Sequence, residues 1–147
     1  MVDDSHARAM VSLPAFAEPH AHLDKAFLAE VVDNPSGDLM GAILAMEAHR
    51  DEITLTDTIE RAERAARLLA ANGCTAIRTH ADTVAATEHG TDRALMSVAA
   101  LIEVRERLRD LVEIQVVALC GWPSVGPAGA DQRAILREAI AMGVDVV

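Results

Sequence analysis

Short runs of apolar residues alternate along the chain with segments whose apolar residues recur every three or four positions. The runs are typical of buried strands, and the segments are typical of amphipathic helices. The predicted strands cover residues 11–21, 74–80 and 111–119, and 144–147 begins a fourth strand. The predicted helices cover 39–51, 54–71, 91–108 and 131–142. Because strands and helices alternate, we expect an α/β fold with a parallel sheet, either doubly wound or closed as a (β/α)8 barrel.

Two histidines separated by one residue close the first predicted strand. Side chains alternate between the two faces of a strand, so His20 and His22 would point to the same face. Pro19 cannot donate a hydrogen bond within a sheet, which places the pair at the carboxyl end of the strand, where pairing stops. Two imidazoles on one face can bind one metal ion, and imidazole suits zinc and iron alike. From this motif alone, two surface histidines beside a turn remain an alternative.

The composition limits the classes of function. The chain has 147 residues, 51% of them hydrophobic, and a formal net charge of −10, which indicates one acidic domain with a sizeable core. It has no basic cluster and almost no aromatic residues, so neither nucleic acid nor an anionic membrane is expected as a partner. No apolar run has the length of a membrane span, and no signal-peptide pattern opens the chain. We expect a cytoplasmic protein whose polar residues 1–10 are poorly ordered.

Several segments together resemble one enzyme family. The run PAFAEPHAHLDKAF at residues 14–27 is similar to the first barrel strand of the amidohydrolase superfamily. The run ANGCTAIRTHAD at 71–82 matches the same family, in the order the family has it, as do shorter segments at 47–52, 61–65 and 115–118. The similarity extends over nearly the whole chain from Leu13 and is strongest to the cytosine deaminase-like branch, which includes the N-isopropylammelide-type amidohydrolases.

The resemblance implies a partial TIM (β/α)8 barrel, in which residues 11–147 form the N-terminal half with about the first three to four βα units. It implies one divalent metal ion, zinc or iron, held by His20 and His22 together with a histidine and an aspartate from later strands. A metal-activated water would then attack a carbon–nitrogen bond of a small heterocyclic or amide substrate. Because two imidazoles are too few for a catalytic zinc site, we expect no catalytic residue set, and no activity, in the isolated chain.

Five further residues are candidates for the site. His80 and Asp82 share one face at the end of the second strand, and either a pocket role or a capping role in the loop at 83–90 would suit them. Lys25 would contact the substrate or remain a solvated loop lysine. Asp24 would orient a ligand histidine or cap a turn. Trp122, just after the third strand, would form a wall of the substrate pocket.

Two other interpretations stay open besides the hydrolase fragment. A half-barrel has open sheet edges and an apolar concave face, so it would need a complementary chain, an oligomeric partner or its missing C-terminal half. Alternatively, the chain is a remnant that keeps part of the fold and has lost the chemistry. Size-exclusion chromatography and a metal titration would separate these possibilities from the first.

Overall fold

A computed structural model describes residues 12–84 and 90–147 of the chain. Strands and helices alternate as expected, and the protein is an α/β fold. The strands are β1 (Phe16–Ala21), β2 (Cys74–Asp82) and β3 (Glu113–Leu119). The α-helices are α1 (Leu39–Ala48), α2 (Leu55–Ala71), α3 (Thr91–Ala94), α4 (Met96–Leu108) and α5 (Ala130–Met142). The predicted disorder of residues 1–10 and most of the predicted loop at 83–90 lie outside the described residues.

The three strands form one parallel sheet in the order β1-β2-β3. The pairing of β2 with β3 is regular from Ala76 opposite Glu113 to Asp82 opposite Leu119. Val146 forms a parallel bridge to Val117, so the predicted start of a fourth strand is confirmed at that position. Parallel pairing brings the carboxyl ends of the strands to one edge of the sheet, where residues from different βα units can meet.

Helices α2 and α4 cover one face of the sheet and form the core with it. The sheet and α4 supply large, fully buried apolar side chains, which are Ile77, Val98, Leu101, Val104, Leu108 and Val116. Helix α2 contributes the fully buried Ala62 and Ala66. Helix α2 starts where the sequence predicts, because the Thr54 hydroxyl accepts a hydrogen bond from the Asp57 backbone N–H at 3.2 Å. It ends at Asn72-Gly73, where Gly73 takes a φ of +90° that favours glycine.

Two expectations are wrong: the extent and burial of the first strand, and the continuity of the helix at 91–108. The first strand was expected over residues 11–21 as a buried strand, but β1 begins at Phe16, whose surface is 67% exposed. Among the described residues β1 pairs with β2 alone, so its outer edge and one face have no cover. The apolar side chains of α1 are likewise not buried, although the helix forms with Asp38 as its N-cap. The predicted helix 91–108 is interrupted at Leu95, which separates α3 from α4.

No helix in the described parts of the chain combines the length and the apolar character that a membrane crossing requires.

Candidate metal centre

Three imidazoles meet at the carboxyl ends of β1 and β2. His20 and His22 come from the end of β1, and His80 comes from β2. One potential ligand atom of each residue lies within 4.8 Å of those of the other two. The ring centroids of His20 and His22 are 5.3 Å apart, and those of His20 and His80 are 4.1 Å apart in a stacked arrangement. The sequence placed His20 and His22 together, and the parallel pairing of the strands adds His80.

The end of β1, where the two histidines lie, pairs irregularly with β2. The register of β1 against β2 shifts between Glu18 and Ala21, around Pro19, which has no N–H to donate. The Glu18 side chain accepts a hydrogen bond from the His20 backbone N–H at 3.0 Å. The strand ends at Ala21, so His22 lies just beyond it and precedes a 3-10 turn at Leu23–Lys25. His20 is exposed, whereas His22 is half-buried.

A buried hydroxyl fixes the turn that follows His22. Thr79 of β2 is fully buried, and its Oγ1 accepts a hydrogen bond from the Leu23 backbone N–H at 3.0 Å. Leu23 is itself buried in the core. His22 is thus held next to β2 by the residue that follows it, and not by the strand pairing of β1 alone.

Lys25 lies between two carboxylates at the same edge of the sheet. Its Nζ is 3.0 Å from Asp82 Oδ2, 3.2 Å from Asp24 Oδ2 and 3.4 Å from His22 Nδ1. The Asp24 side chain is only 1% exposed. Among the described contacts, Asp24 reaches His22 only through Lys25. Lys25 is therefore ion-paired beside His22, and its contact with a substrate stays a prediction.

Arg61 of α2 holds the backbone of the Leu23–Lys25 turn by hydrogen bonds. Its Nη1 donates to the backbone carbonyls of Asp24 at 2.9 Å and Ala26 at 2.8 Å, and its Nε donates to Asp57 Oδ2 at 2.9 Å. Arg61 is buried, although charged residues of an amphipathic helix usually lie on its solvent-exposed face. The available signal was its position between the buried Thr58 and Ala65, three residues earlier and four later.

The surroundings of His22 favour its neutral form. Burial is the largest cause that lowers the pKa of His22 below 6.5, and the Lys25 ammonium lowers it further. Asp24 and Asp82 act in the opposite direction with smaller effect. A neutral imidazole has the free lone pair that a metal ligand requires.

A cavity of about 610 Å³ opens beside His22. Its polar lining includes His22, Lys25 and Asp82, and much of the remainder is apolar. Apolar side chains that line it are Leu28, Val32, Leu39, Ile43 and Met46. Its size and its few converging polar groups are typical of small-molecule pockets. Trp122 is not part of this lining and is 90% exposed after β3, so its predicted pocket role remains a prediction.

His80 and Asp82 both belong to β2, which extends two residues further than predicted. His80 Nδ1 lies 3.4 Å from the Ala21 carbonyl oxygen. His80 and Asp82 are two residues apart in β2 and so lie on the same face of the strand. His80 lies beside the imidazoles of His20 and His22, and Asp82 lies beside Lys25. The pocket role and the capping role in the following loop both stay predictions, because most of that loop lies outside the described residues.

Known proteins resemble this chain in sequence and in structure. It is 36% identical over 107 residues to the pterin deaminase of Rhizobium rhizogenes, across 72% of this chain and 23% of that protein. It is 34% identical to 5-methylcytosine deaminase from Klebsiella pneumoniae liganded with 5-fluorocytosine, with a TM-score of 0.72 over 90% of this chain and 30% of that one. The chain belongs to the cytosine deaminase-like family of amidohydrolases.

Two further relatives of this family are N-isopropylammelide hydrolases. The enzyme of Pseudomonas sp. is 26% identical across 99% of this chain and 35% of its own length. The structure from Burkholderia multivorans is 32% identical, with a TM-score of 0.67 over 90% of this chain and 32% of that chain. No protein-family model matches the chain. The chain thus spans between 23% and 35% of the length of these deaminase and amidohydrolase relatives.

Proposed function

We propose that residues 11–147 form the N-terminal part of the (β/α)8 barrel of a metal-dependent hydrolase that acts on carbon–nitrogen bonds. In this proposal His20 and His22 hold one divalent ion, zinc or iron, and other strands of the barrel supply the remaining ligands. The observation that carries it is the convergence of His20 and His22 at the carboxyl ends of parallel strands, where barrel active sites lie. The family membership of the chain supports the same reaction class.

The donor set fits such an ion. His22 favours its neutral form, and the ligand nitrogens of His20 and His22 lie within 4.8 Å of each other. Neutral imidazoles suit zinc and iron, whereas magnesium and calcium prefer oxygen ligands. A bound ion of this kind supplies Lewis-acid chemistry, which lowers the pKa of water and stabilises developing negative charge.

The residues beside the imidazoles would bind and orient the substrate. The Lys25 ammonium can donate to a ring carbonyl or ring nitrogen, and the Asp82 carboxylate can accept from a ring N–H. The apolar wall of the cavity beside His22 would exclude water and cover the faces of a planar ring. A small heterocycle fits these groups, and relatives named for pterin and 5-methylcytosine support this substrate class.

The test begins with the reading frame beyond the codon for Val147. We expect about four further βα units, with a histidine and an aspartate at later strand ends. The product of that frame should release ammonia from pterin, cytosine or 5-methylcytosine, or isopropylamine from N-isopropylammelide. His20→Asn and His22→Asn should abolish the release and the bound zinc or iron, while His49→Asn, directly after α1 and outside the cluster, should leave both unchanged. A stop codon directly after Val147 would count against the proposal.

An interaction module is the second candidate, and the open edge of β1 favours it. Leu13 and Phe16 of this region are strongly exposed. On α1, Leu39, Met40 and Leu44 are strongly exposed as well. Exposed strand edges and apolar patches promote pairing with other chains. Light scattering after size-exclusion chromatography of the 147-residue chain tests this candidate. A compact monomer that binds no dye for apolar surface would exclude it.

A further inference from the structure

The cavity of about 610 Å³ beside His22 lies between two walls that are held in different ways. One wall is the segment that follows the Leu23–Lys25 turn, and its lining residues Leu28 and Val32 are buried. Hydrogen bonds to β2 and α2 fix the turn that leads into this wall. The other wall is α1, whose lining residues are Leu39, Ala42, Ile43, Ala45, Met46 and Glu47.

The wall formed by α1 belongs to a segment that is bonded only to itself. Among the described contacts, every hydrogen bond and ion pair of residues 34–52 has its partner within the segment or at the adjacent Ile53. The cap of α1 is internal as well, because the Asp38 side chain accepts from the Gly41 N–H at 2.7 Å. We call residues 34–52 the flap.

The flap is also packed loosely against the rest of the chain. None of its residues is buried, and Leu39 and Ile43, which line the cavity, are 75% and 39% exposed. Residues 39–46 nevertheless carry no charged or polar side chain. A helix that is apolar all round is normally buried. The flap therefore presents an apolar surface to the cavity without burying it.

We infer that the flap is a lid that closes over a planar ring bound beside His22. This inference rests on the proposed function, because the ring is the substrate that the proposed function requires. Closure buries Ile43 and Met46 against the ring, while Leu28 and Val32 stay fixed on the opposite side of the cavity. The apolar area removed from water favours the closed position, and closure excludes water from the reacting group.

The ends of the flap allow this movement without loss of its internal structure. Asp33, directly before the flap, is exposed and makes no described hydrogen bond. Thr54, shortly after the flap, is the N-cap of α2 and thus belongs to the fixed part of the chain. Rotation about these two ends moves α1 as one body, and the hydrogen bonds of the helix and of its cap stay intact. Lids of this kind move in microseconds to milliseconds.

Pulsed electron spin resonance on the 147-residue chain measures the position of the flap. Spin labels are attached at Leu44→Cys, on the flap but outside the cavity lining, and at Leu68→Cys, an exposed residue of α2. Cys120→Ser removes the native cysteine that is not buried. The control pair, Leu68→Cys with Glu106→Cys, joins α2 to α4, which pack on each other. Without ligand, the flap pair should give a clearly broader distance distribution than the control pair, and equal widths would overturn the inference.

Pterin, whose binding is followed by its own fluorescence, is the probe for closure. Saturating pterin should narrow the distribution of the flap pair and leave that of the control pair unchanged. Ile43→Ser, in the cavity lining, should weaken pterin binding by about tenfold, because less apolar area is buried on closure. Leu44→Ser, outside the lining, should bind pterin as the unmodified chain does.

Two outcomes separate this inference from the proposed function. If pterin binds and the distribution of the flap pair stays unchanged, the flap is not a lid, whereas the proposed function stands. If pterin does not bind, the result counts against the proposed substrate class, and the width of the flap distribution without ligand decides the inference by itself.

Discussion

Arg61 holds Asp24, 37 residues earlier in the chain, by its backbone carbonyl and not by its side chain. The distance from Arg61 Nη1 to Asp24 O is 2.9 Å, and the same nitrogen reaches Ala26 O at 2.8 Å. The side-chain carboxylate of Asp24 is thereby left for Lys25 and for the Asp82 backbone N–H. The buried arginine thus fixes the backbone of the turn that follows the two β1 histidines. The Asp24 carboxylate stays available for its ion pair with Lys25.

Arg61→Lys should destabilise the protein by about 2 kcal/mol, because one ammonium cannot reproduce the planar fork that reaches two carbonyls and Asp57. Urea denaturation monitored by circular dichroism measures the change in the free energy of unfolding. Arg67→Lys is the control on the same helix. Arg67 pairs with Glu63 at the surface, so its replacement should cost less than about 1 kcal/mol. If the two variants lose the same free energy of unfolding, Arg61 does not anchor the turn.

Lys25→Met should destabilise the fold by roughly 3 kcal/mol, since it leaves the buried Asp24 carboxylate without its cation. Adding Asp24→Asn should recover part of that loss, because the amide carries no charge that needs compensation. The two single variants and the double variant form a cycle that isolates the coupling between the residues. If the double variant unfolds as easily as Lys25→Met alone, the carboxylate is not the source of the loss.

The ion pairs of Glu63 should make the free energy of unfolding depend on pH. The guanidinium of Arg67 and, with smaller effect, that of Arg107 lower the pKa of Glu63 below its usual 4.5. A carboxyl whose pKa is lowered in the folded state stabilises that state above its unfolded pKa, and the contribution disappears as the pH falls through the folded value. Glu63→Gln should therefore cost about 0.5 kcal/mol at pH 7 and nothing at strongly acidic pH.

Thermal unfolding of both proteins across this pH range measures the difference for Glu63→Gln. High salt should reduce the difference at pH 7, because the pairs are partly exposed. Glu60→Gln, an exposed residue of the same helix, is the control. A difference that persists unchanged at acidic pH would contradict an electrostatic origin.

The sequence correctly predicted the helices and turns that are determined by residues close together in the chain. Helix α2 has a capping residue at Thr54 and a stop signal at Asn72-Gly73, and it forms between them. The spacing of His20 and His22 likewise placed both at one edge of the sheet. Arg61 and Thr79 could not be assigned in this way, because their roles depend on the turn that packs against them from a distant part of the chain. The burial of β1 was overestimated because burial depends on neighbouring elements, not on the apolar character of the strand.

The turn at Leu23–Lys25 is held by two elements that come from different parts of the chain. The Leu23 backbone N–H donates to the buried Thr79 hydroxyl of β2, and Arg61 of α2 donates to the carbonyls of Asp24 and Ala26. The turn can therefore open only when both sets of contacts break. Although it lies in a connection between elements, its Leu23 amide should exchange with deuterium about as slowly as the amides of the sheet.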